Sequence, residues 1–259
     1  MNFHVMTLFP EMVENCLKES ITGRAIAKGL ISLEAVNIRD YAQNRYKHVD
    51  DYIYGGGSGM LMQPEPVWLC YEDIIGRLPK EKKVKTLYMS PQGRTFDQKF
   101  AEELAQEEDI IFLCGHYEGI DERVIEMIDP IEVSLGDFVL TGGELPAITM
   151  IDCISRLVPG VLGKDDSAVY ESFYEGLLEY PQYTRPEVYM GRAVPKILLS
   201  GDHKKVDEWR KEQSIERTKQ KRPDLYEAYM EAHKDDPVPK KRRKKKKDTQ
   251  DAEAVDTKQ

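Results

Sequence analysis

The sequence has no hydrophobic run long enough to cross a membrane and no export signal. A transmembrane helix needs about 20 consecutive apolar residues, and no segment approaches that length. The N-terminus also lacks the basic-then-apolar pattern of a signal peptide. We therefore expect a cytoplasmic protein with no membrane partner.

Cysteine is scarce and scattered. The four cysteines, at positions 16, 70, 114 and 153, form no CxxC pair, and no histidine stands at ligand spacing from any of them. This pattern excludes a disulfide framework and a zinc site of the usual spacing. We expect four reduced and mostly buried thiols.

A dinucleotide fingerprint is missing as well. The first predicted strand ends at Phe9 and is followed by PEMVEN, where a GxGxxG turn would stand in a nicotinamide-binding domain. The absence argues against a nicotinamide enzyme and against the commonest Rossmann-type methyltransferases.

The net charge of −9 hides an uneven distribution. Residues 240–247 (KKRRKKKK) are eight consecutive basic residues, so the rest of the chain is strongly acidic. An acidic body does not attract phosphate indiscriminately, and any nucleic-acid contact must use local basic patches.

Strand and helix patterns alternate along the first part of the chain. Short apolar runs predict strands at residues 3–9, 31–38, 84–89, 110–114, 131–134 and 138–140. Amphipathic stretches predict helices from Pro10 onward and at residues 66–78, 97–106, 120–128 and 144–157. The alternation predicts an α/β fold with a mostly parallel sheet covered on both faces.

The character of the chain changes after Pro159. Residues 1–163 fit one large domain, and residues 164–177 are acidic and poor in aliphatic side chains, which predicts a mobile linker. Residues 178–234 contain two basic helical stretches, 204–217 and 223–232, and predict a small helical domain. Residues 235–259 cannot bury a core, and we expect them to be disordered.

Glycine and polar residues concentrate at strand ends. Residues 90–93 (SPQG), 114–123 (CGHYEGIDER) and 134–146 (SLGDFVLTGGELP) each adjoin a short apolar strand. Ligands of open parallel sheets bind beyond the carboxyl ends of the strands, so these segments predict a binding site. Residues 54–62 (YGGGSGMLM) let the backbone approach a ligand closely, or else form a flexible hairpin.

These segments resemble the bacterial tRNA (guanine-N1)-methyltransferases of the SPOUT class. The resemblance runs from Leu8 to His203, and the basic helices extend it to about Leu225, whereas the polybasic tail lies outside it. The matching stretches are LFPEM, VDDYIYGGGSGMLM, MSPQG, CGHYEGIDERV, GDFVLTGGELPA, RLVPGVLG, GLLEYPQYTRPEV and LLSGDH.

The resemblance implies a trefoil knot formed by the loops at Ser90, Gly115 and Gly136, with S-adenosylmethionine bound in it. It also implies a homodimer whose active site combines the knot loops of one subunit with the linker of the other. Some family members depend on Mg²⁺, and no metal-ligand spacing in the sequence bears on that requirement. The implied cofactor contacts are Tyr88, Met89, Ser90, Pro91, Gly115, Glu118, Leu135, Gly136, Asp137, Phe138, Val139, Leu140, Gly142 and Gly143.

The resemblance also implies the residues that activate the acceptor. The family uses an Asp in the linker as the base, and that position is Glu171 here, while the partner arginine is Arg156. Asp165 or Asp166 could serve instead of Glu171, or Glu171 could be a solvated linker carboxylate. Arg156 could equally be a cation that stabilises a helix C-terminus.

Two further groups of residues are implied for the substrate. Asp50, Asp51 and Tyr117 are candidates for the guanine pocket. His116 stands where some relatives carry Arg, and we expect it to pack or to make a loop hydrogen bond, with contact to the cofactor or the RNA as a neutral ring as the alternative. Basic residues of the second domain are candidates for tRNA contacts, with a solvated helix surface as the alternative. They include Lys204, Lys205, Arg210, Lys211, Arg217, Lys219, Lys221 and Arg222.

The resemblance implies methylation of N1 of the guanosine immediately 3′ of the anticodon of tRNA. Two rivals remain: a SPOUT methyltransferase acting on another RNA position, and a catalytically silent RNA-binding protein with the same fold. The polybasic tail either strengthens tRNA association or is passive.

Overall fold

The protein is described here by a computed structural model that covers residues 1–79, 84–163, 171–173 and 175–234. It divides into a compact unit Met1–Glu179 and a second unit that begins at Tyr180. Residues 164–170 of the predicted linker, with Asp165 and Asp166, lie outside the described residues, as does the tail from residue 235.

The first unit is built around a five-stranded sheet. The described residues of this unit include the strands β1 (Asn2–Thr7), β2 (Ser32–Asn37), β3 (Asp50–Tyr52), β4 (Met60–Met62), β5 (Lys85–Thr95), β6 (Asp109–Leu113) and β7 (Ile131–Ser134), of which β3 and β4 form a separate pair. The large sheet has the order β2-β1-β6-β5-β7, and every neighbouring pair in it is parallel. The prediction of an α/β fold with a mostly parallel central sheet is confirmed.

Helices cover both faces of this sheet. They are α1 (Pro10–Leu17), α2 (Ser20–Ala27), α3 (Pro64–Arg77), α4 (Gln98–Leu104), α5 (Glu122–Ile128) and α6 (Glu144–Ser155). All five residues of β6 are buried. Ile110 and Phe112 of β6 pack into one core cluster with α1, α4 and α6, whereas Ile111 and Leu113 pack into the other with α3 and α5. The alternation of side chains along the strand therefore builds a core on each face.

Local sequence signals account for the helix starts. Pro10 is in the first turn of α1, where its missing N–H costs nothing. The side chain of Asp97 accepts a hydrogen bond from the Phe100 amide at 2.8 Å and caps α4. Asp121 caps α5 in the same way through the Arg123 amide.

Several predicted elements differ in the structure. The strand predicted at residues 138–140 is wrong: Phe138, Val139 and Leu140 have no strand partner and are 55%, 85% and 40% exposed. Strand β5 continues to Thr95, six residues beyond its predicted end, and α2 was not predicted as a separate helix. The glycines of residues 54–62 lie in the turn between β3 and β4, which pair as an antiparallel hairpin.

The four cysteines are free, as expected of reduced thiols. Only two of them, Cys70 and Cys114, are buried; Cys153 is half-buried and Cys16 is exposed. Burial raises the pKa of the Cys114 thiol well above its usual value, so it packs as a neutral group.

The second unit contains two helices, α7 (His203–Lys221) and α8 (Pro223–Ala232). A short hairpin, β8 (Val188–Tyr189) and β9 (Arg192–Ala193), and a 3₁₀ turn at Lys196–Leu199 precede them. Asp202 caps α7 by accepting a hydrogen bond from the Lys205 amide at 3.2 Å. None of the helices in the described ranges combines the length and apolarity that a bilayer crossing requires.

A buried hydrogen bond ties the end of β1 to the start of α6. The Thr7 hydroxyl donates to Oε1 of Glu144 at 2.7 Å and accepts from the Phe9 amide at 2.9 Å. Thr7 is 0% and Glu144 is 3% exposed. Burial of a carboxylate is costly unless it is hydrogen-bonded. The hydrogen bond from Thr7 therefore favours the observed position of Glu144, which is the first residue of α6.

A Thr7→Val variant should therefore be less stable. The change keeps the shape and removes both hydrogen bonds, and we expect the free energy of unfolding to fall by about 1–3 kcal/mol in urea titrations. Thr149→Val is the matched control, because its hydroxyl is on the exposed face of α6 and bonds only the Leu145 carbonyl. Equal losses in the two variants would contradict the role given to the Thr7 hydroxyl.

Candidate active site

The carboxyl ends of three neighbouring strands surround one cavity. Strands β6, β5 and β7 are adjacent and parallel, so the segments that follow them emerge at the same edge of the sheet. The cavity has a volume of about 260 Å³. It is lined by Tyr88, Met89, Ser90, Pro91, Gln92, Gly115, His116, Tyr117, Glu118, Gly119, Val133, Ser134, Leu135, Phe138, Val139, Leu140, Thr141, Gly142, Gly143 and Pro146.

The first wall is the segment at residues 90–93. Pairing between β5 and β7 shifts between Met89 and Arg94, so these residues bulge out of the ladder. Gly93 lies so close to β7 that a Cβ there would come within 2.2 Å of the Glu132 carbonyl carbon. The glycine is required because the bulge folds back against the neighbouring strand.

The second and third walls are joined by backbone contacts. The Gly143 amide donates to the Gly115 carbonyl at 2.9 Å, and His116 and Gly142 form an isolated bridge. A Cβ on Gly143 would come within 2.7 Å of the Cys114 Cα. The segment after β6 and the start of α6 are therefore packed backbone to backbone at the cavity.

Tyr88 and His116 supply polar atoms within this cavity. Burial, with help from Glu132 and Glu122, raises the pKa of Tyr88 to about 12, so its phenol stays protonated. The His116 ring makes edge contacts with Phe9 and Tyr117, with ring centroids 5.2 and 5.0 Å apart. Its Nδ1 is buried and has no hydrogen-bond partner among the described residues.

The β3–β4 hairpin reaches the cavity through Glu118. The Glu118 amide donates to the Met60 carbonyl at 3.0 Å, and a Cβ on Gly59 would come within 2.6 Å of the Glu118 carboxylate. Tyr117 has a left-handed backbone (φ 59°) and accepts a hydrogen bond from Arg39 at 3.3 Å. Asp50 and Asp51 are in β3 and do not line the cavity.

The structure thus brings together twelve of the fourteen residues predicted for the cofactor. Gly136 and Asp137 are the two that do not line the cavity. Gln92, Gly119, Val133, Ser134, Thr141 and Pro146 line it without having been named as cofactor contacts. All but Val133 fall in the three segments that were predicted to form a binding site, and Val133 directly precedes the third of them.

Arg156 and Glu171 meet at a second cavity of about 230 Å³. Nη2 of Arg156 donates to Oε1 of Glu171 at 2.6 Å, and both side chains are partly exposed. Arg156 is the C-terminal cap of α6. The cavity is lined by Gln98, Glu102, Ala105, Gln106, Cys153, Arg156, Leu157, Leu162, Glu171 and Ser172. No residue in the described part of the chain lines both this cavity and the first one.

Basic residues of the second unit are largely engaged with neighbours. Lys204 is exposed on α7. The Arg210 guanidinium pairs with Asp207 at 3.2 Å and lies 5.0 Å from the centre of the Tyr180 ring. Arg217 is half-buried on the same helix. Within the described ranges no group of three or more His, Cys, Asp or Glu side chains is placed to hold a metal.

Comparison with known proteins identifies the family. The family model described as tRNA (Guanine-1)-methyltransferase TrmD matches residues 1–228. The chain is 58% identical to the tRNA (guanine-N(1)-)-methyltransferase of Lachnospira eligens, over 91% of this chain and 99% of that protein. It is 53% identical to the protein of the same name from Clostridioides difficile, over 87% of this chain and 97% of the relative. The chain therefore belongs to the tRNA (guanine-1)-methyltransferase TrmD family.

Proposed function

We propose that the protein transfers a methyl group from S-adenosylmethionine to N1 of a guanosine in tRNA, at the position immediately 3′ of the anticodon. The observation that carries the proposal is the 2.6 Å pair of Arg156 and Glu171 in a chain that belongs to this family. Because tRNA is the substrate, the proposed place of action is the cytoplasm.

The first cavity fits the methyl donor. Its walls are backbone segments in close contact, with glycines where a Cβ would collide, and backbone amides and carbonyls suit the edge of an adenine. The buried and unpartnered Nδ1 of His116 offers a further polar contact. When bound, S-adenosylmethionine supplies an electrophilic methyl group. The residues proposed to hold it are the twelve predicted ones that line the cavity, together with Gly136 and Asp137.

The residues proposed to activate the guanine acceptor line the second cavity. Guanine N1 carries a proton that must leave before the nitrogen can accept a methyl group. We assign its removal to the Glu171 carboxylate, since a positioned base accelerates such a step by about 10²–10⁴-fold. Arg156 would donate to O6 and stabilise the negative charge that builds there as the proton leaves.

The separation of the two cavities supports an active site assembled from two copies. Donor and acceptor must be in contact for transfer, yet the described residues of one chain include none that lines both cavities. A symmetric dimer in which the donor cavity of one copy faces Glu171 of the other would join them, and would contain two such sites. The family resemblance supports this homodimer and a knot formed by the three loops around the donor cavity.

The second unit is the proposed tRNA-binding part. Lys204, Arg210 and Arg217 on α7 would contact phosphates, and salt-dependent binding is the expected signature. Asp50, Asp51 and Tyr117 remain proposed contacts of the guanosine. The proposed domain limits are 1–163, 164–177 for the linker, 178–234 for the tRNA-binding domain and 235–259 for the tail.

The test is incorporation of labelled methyl groups from S-adenosylmethionine into unmodified tRNA with a guanosine 3′ of the anticodon. We expect N1-methylguanosine after nuclease digestion, and no product when that guanosine is replaced by adenosine. A methylated ribose or another methylated base would favour a different SPOUT activity, and no incorporation would favour a silent RNA-binding protein. Parallel reactions with and without a chelator report whether Mg²⁺ takes part.

A further inference from the structure

A polar face of α4 lines the second cavity together with the Arg156–Glu171 pair. Gln98, Glu102 and Gln106 follow one another at intervals of four residues. This spacing places Gln98 and Glu102 on one face of α4, and Gln106 continues that face just after the helix ends at Leu104. Ala105, Leu157 and Leu162 add apolar surface to the lining of the cavity. A flat ring with a polar edge would match such a site.

Glu102 has the capacity to accept hydrogen bonds from a ligand in this cavity. Its side chain is exposed, and it forms no hydrogen bond or ion pair with any described residue. Its neighbour Glu103 instead pairs with Arg94 at 3.6 Å and does not line the cavity. Gln98 is already engaged, since its amide oxygen accepts from the Cys153 thiol at 3.8 Å. The carboxylate of Glu102, which has no partner among the described residues, is therefore the strongest acceptor on this wall.

The donors of guanine match this arrangement. Its base-pairing edge presents the O6 acceptor, the N1–H donor and the exocyclic 2-amino donor in a row. In the proposed function Arg156 contacts O6 and Glu171 contacts N1–H, which leaves the 2-amino group to donate to a further acceptor of the same cavity. We propose that Glu102 is that acceptor and determines the specificity for guanine over bases that lack the 2-amino group, an inference that rests on the proposed function.

The consequence is discrimination against both hypoxanthine and adenine. Hypoxanthine keeps O6 and N1–H but leaves Glu102 without a partner. Adenine also lacks the N1 proton and presents a lone pair toward the Glu171 carboxylate. A hydrogen bond to a charged group accounts for a factor of about ten to a hundred, and a site built around such donors rejects analogues without them more strongly than an apolar pocket does.

The experiment compares tRNA carrying guanosine with tRNA carrying inosine at the methylated position. Single-turnover rates are measured with the full-length protein as wild type, Glu102→Ala, Glu102→Gln and Glu103→Ala. Glu103→Ala is the matched control, because it removes a neighbouring carboxylate on the same helix that faces away from the cavity and whose exposed ion pair contributes little to stability.

We expect the wild type and Glu103→Ala to prefer guanosine by about ten- to a hundredfold. Glu102→Ala should lose this preference through slower transfer to guanosine, with transfer to inosine unchanged. Glu102→Gln should recover part of it, because an amide oxygen is a weaker acceptor than a carboxylate. Equal losses on both RNAs, or an intact preference in Glu102→Ala, would overturn this inference alone. A wild type that methylates neither RNA would overturn the proposed function and this inference with it.

Discussion

A Glu171→Gln variant should transfer methyl groups to tRNA about 10²–10⁴-fold more slowly than the wild type, the range that a positioned general base contributes. Glutamine has the same shape and can still accept the hydrogen bond from Arg156, but it cannot take up the N1 proton. The measurement is the single-turnover rate with enzyme in excess over tRNA, which separates chemistry from product release.

Binding of the methyl donor should be unchanged in this variant. Glu171 does not line the donor cavity, so calorimetric titration with S-adenosylmethionine should give the wild-type dissociation constant. Glu175→Gln, four residues further along, is the control and should keep the wild-type rate. Asp165→Asn and Asp166→Asn test the two linker carboxylates that the sequence leaves open. If either of them lost activity while Glu171→Gln kept it, the base would be misassigned.

An Arg156→Ala variant should also transfer methyl groups more slowly than the wild type. Removal of one donor that stabilises developing charge costs about 10²–10³-fold in rate, and it also leaves Glu171 without the partner that orients it. Residues that act as one unit are not additive. The double variant Glu171→Gln, Arg156→Ala should therefore be little slower than the worse single variant, whereas multiplied losses would show that the two side chains act independently.

The sheet was predictable because burial on both faces leaves a simple signal. The apolar run of β6 and the other apolar runs alternate with helical patterns along the chain. A parallel sheet with helices on both faces buries both sides of such strands, as it does for all five residues of β6. The same signal failed at residues 138–140. Three apolar residues in a row are typical of a short strand and equally of a loop at a cavity, and only the absence of a strand partner separates the two.

The extension of β5 was hidden for a related reason. SPQG at residues 90–93 has the composition of a turn and predicts the end of the strand, but the ladder resumes at Arg94 after the bulge. Pairing across a bulge depends on the partner strand β7, about forty residues away in sequence. Local patterns carry no information on it.

The lining of the first cavity, proposed to hold the donor, was largely predictable, whereas the α4 wall of the second cavity was not. Glycine-rich segments at the ends of parallel strands indicate a binding site from their composition and position alone. Gln98, Glu102 and Gln106 instead have the composition of an ordinary solvated helix face. Their proposed role depends on the cavity that they share with Arg156 and Glu171, which lie fifty or more residues away in sequence. The helix predicted at residues 97–106 places them on one face by its periodicity, but nothing in the local sequence indicates which residues lie near that face.

A Gly143→Ala variant should bind S-adenosylmethionine at least about tenfold more weakly, equivalent to about 1.4 kcal/mol. The added Cβ would come within 2.7 Å of the Cys114 Cα, and 3.1 Å of the Gly115 nitrogen. Both are backbone atoms that cannot rotate away, so the two segments must separate. Their separation breaks the hydrogen bond from the Gly143 amide to the Gly115 carbonyl and widens the donor cavity.

Stability should fall in the same variant, by about 1–3 kcal/mol as for other additions to a packed interior. Gly76→Ala in α3 is the matched control. A Cβ there meets nothing within 4 Å, so alanine in that helix should raise the free energy of unfolding by roughly 0.5–1 kcal/mol. The two substitutions are chemically identical and should shift urea midpoints in opposite directions. Wild-type affinity for the donor in Gly143→Ala would show that the close contact between these segments is not what shapes the cavity.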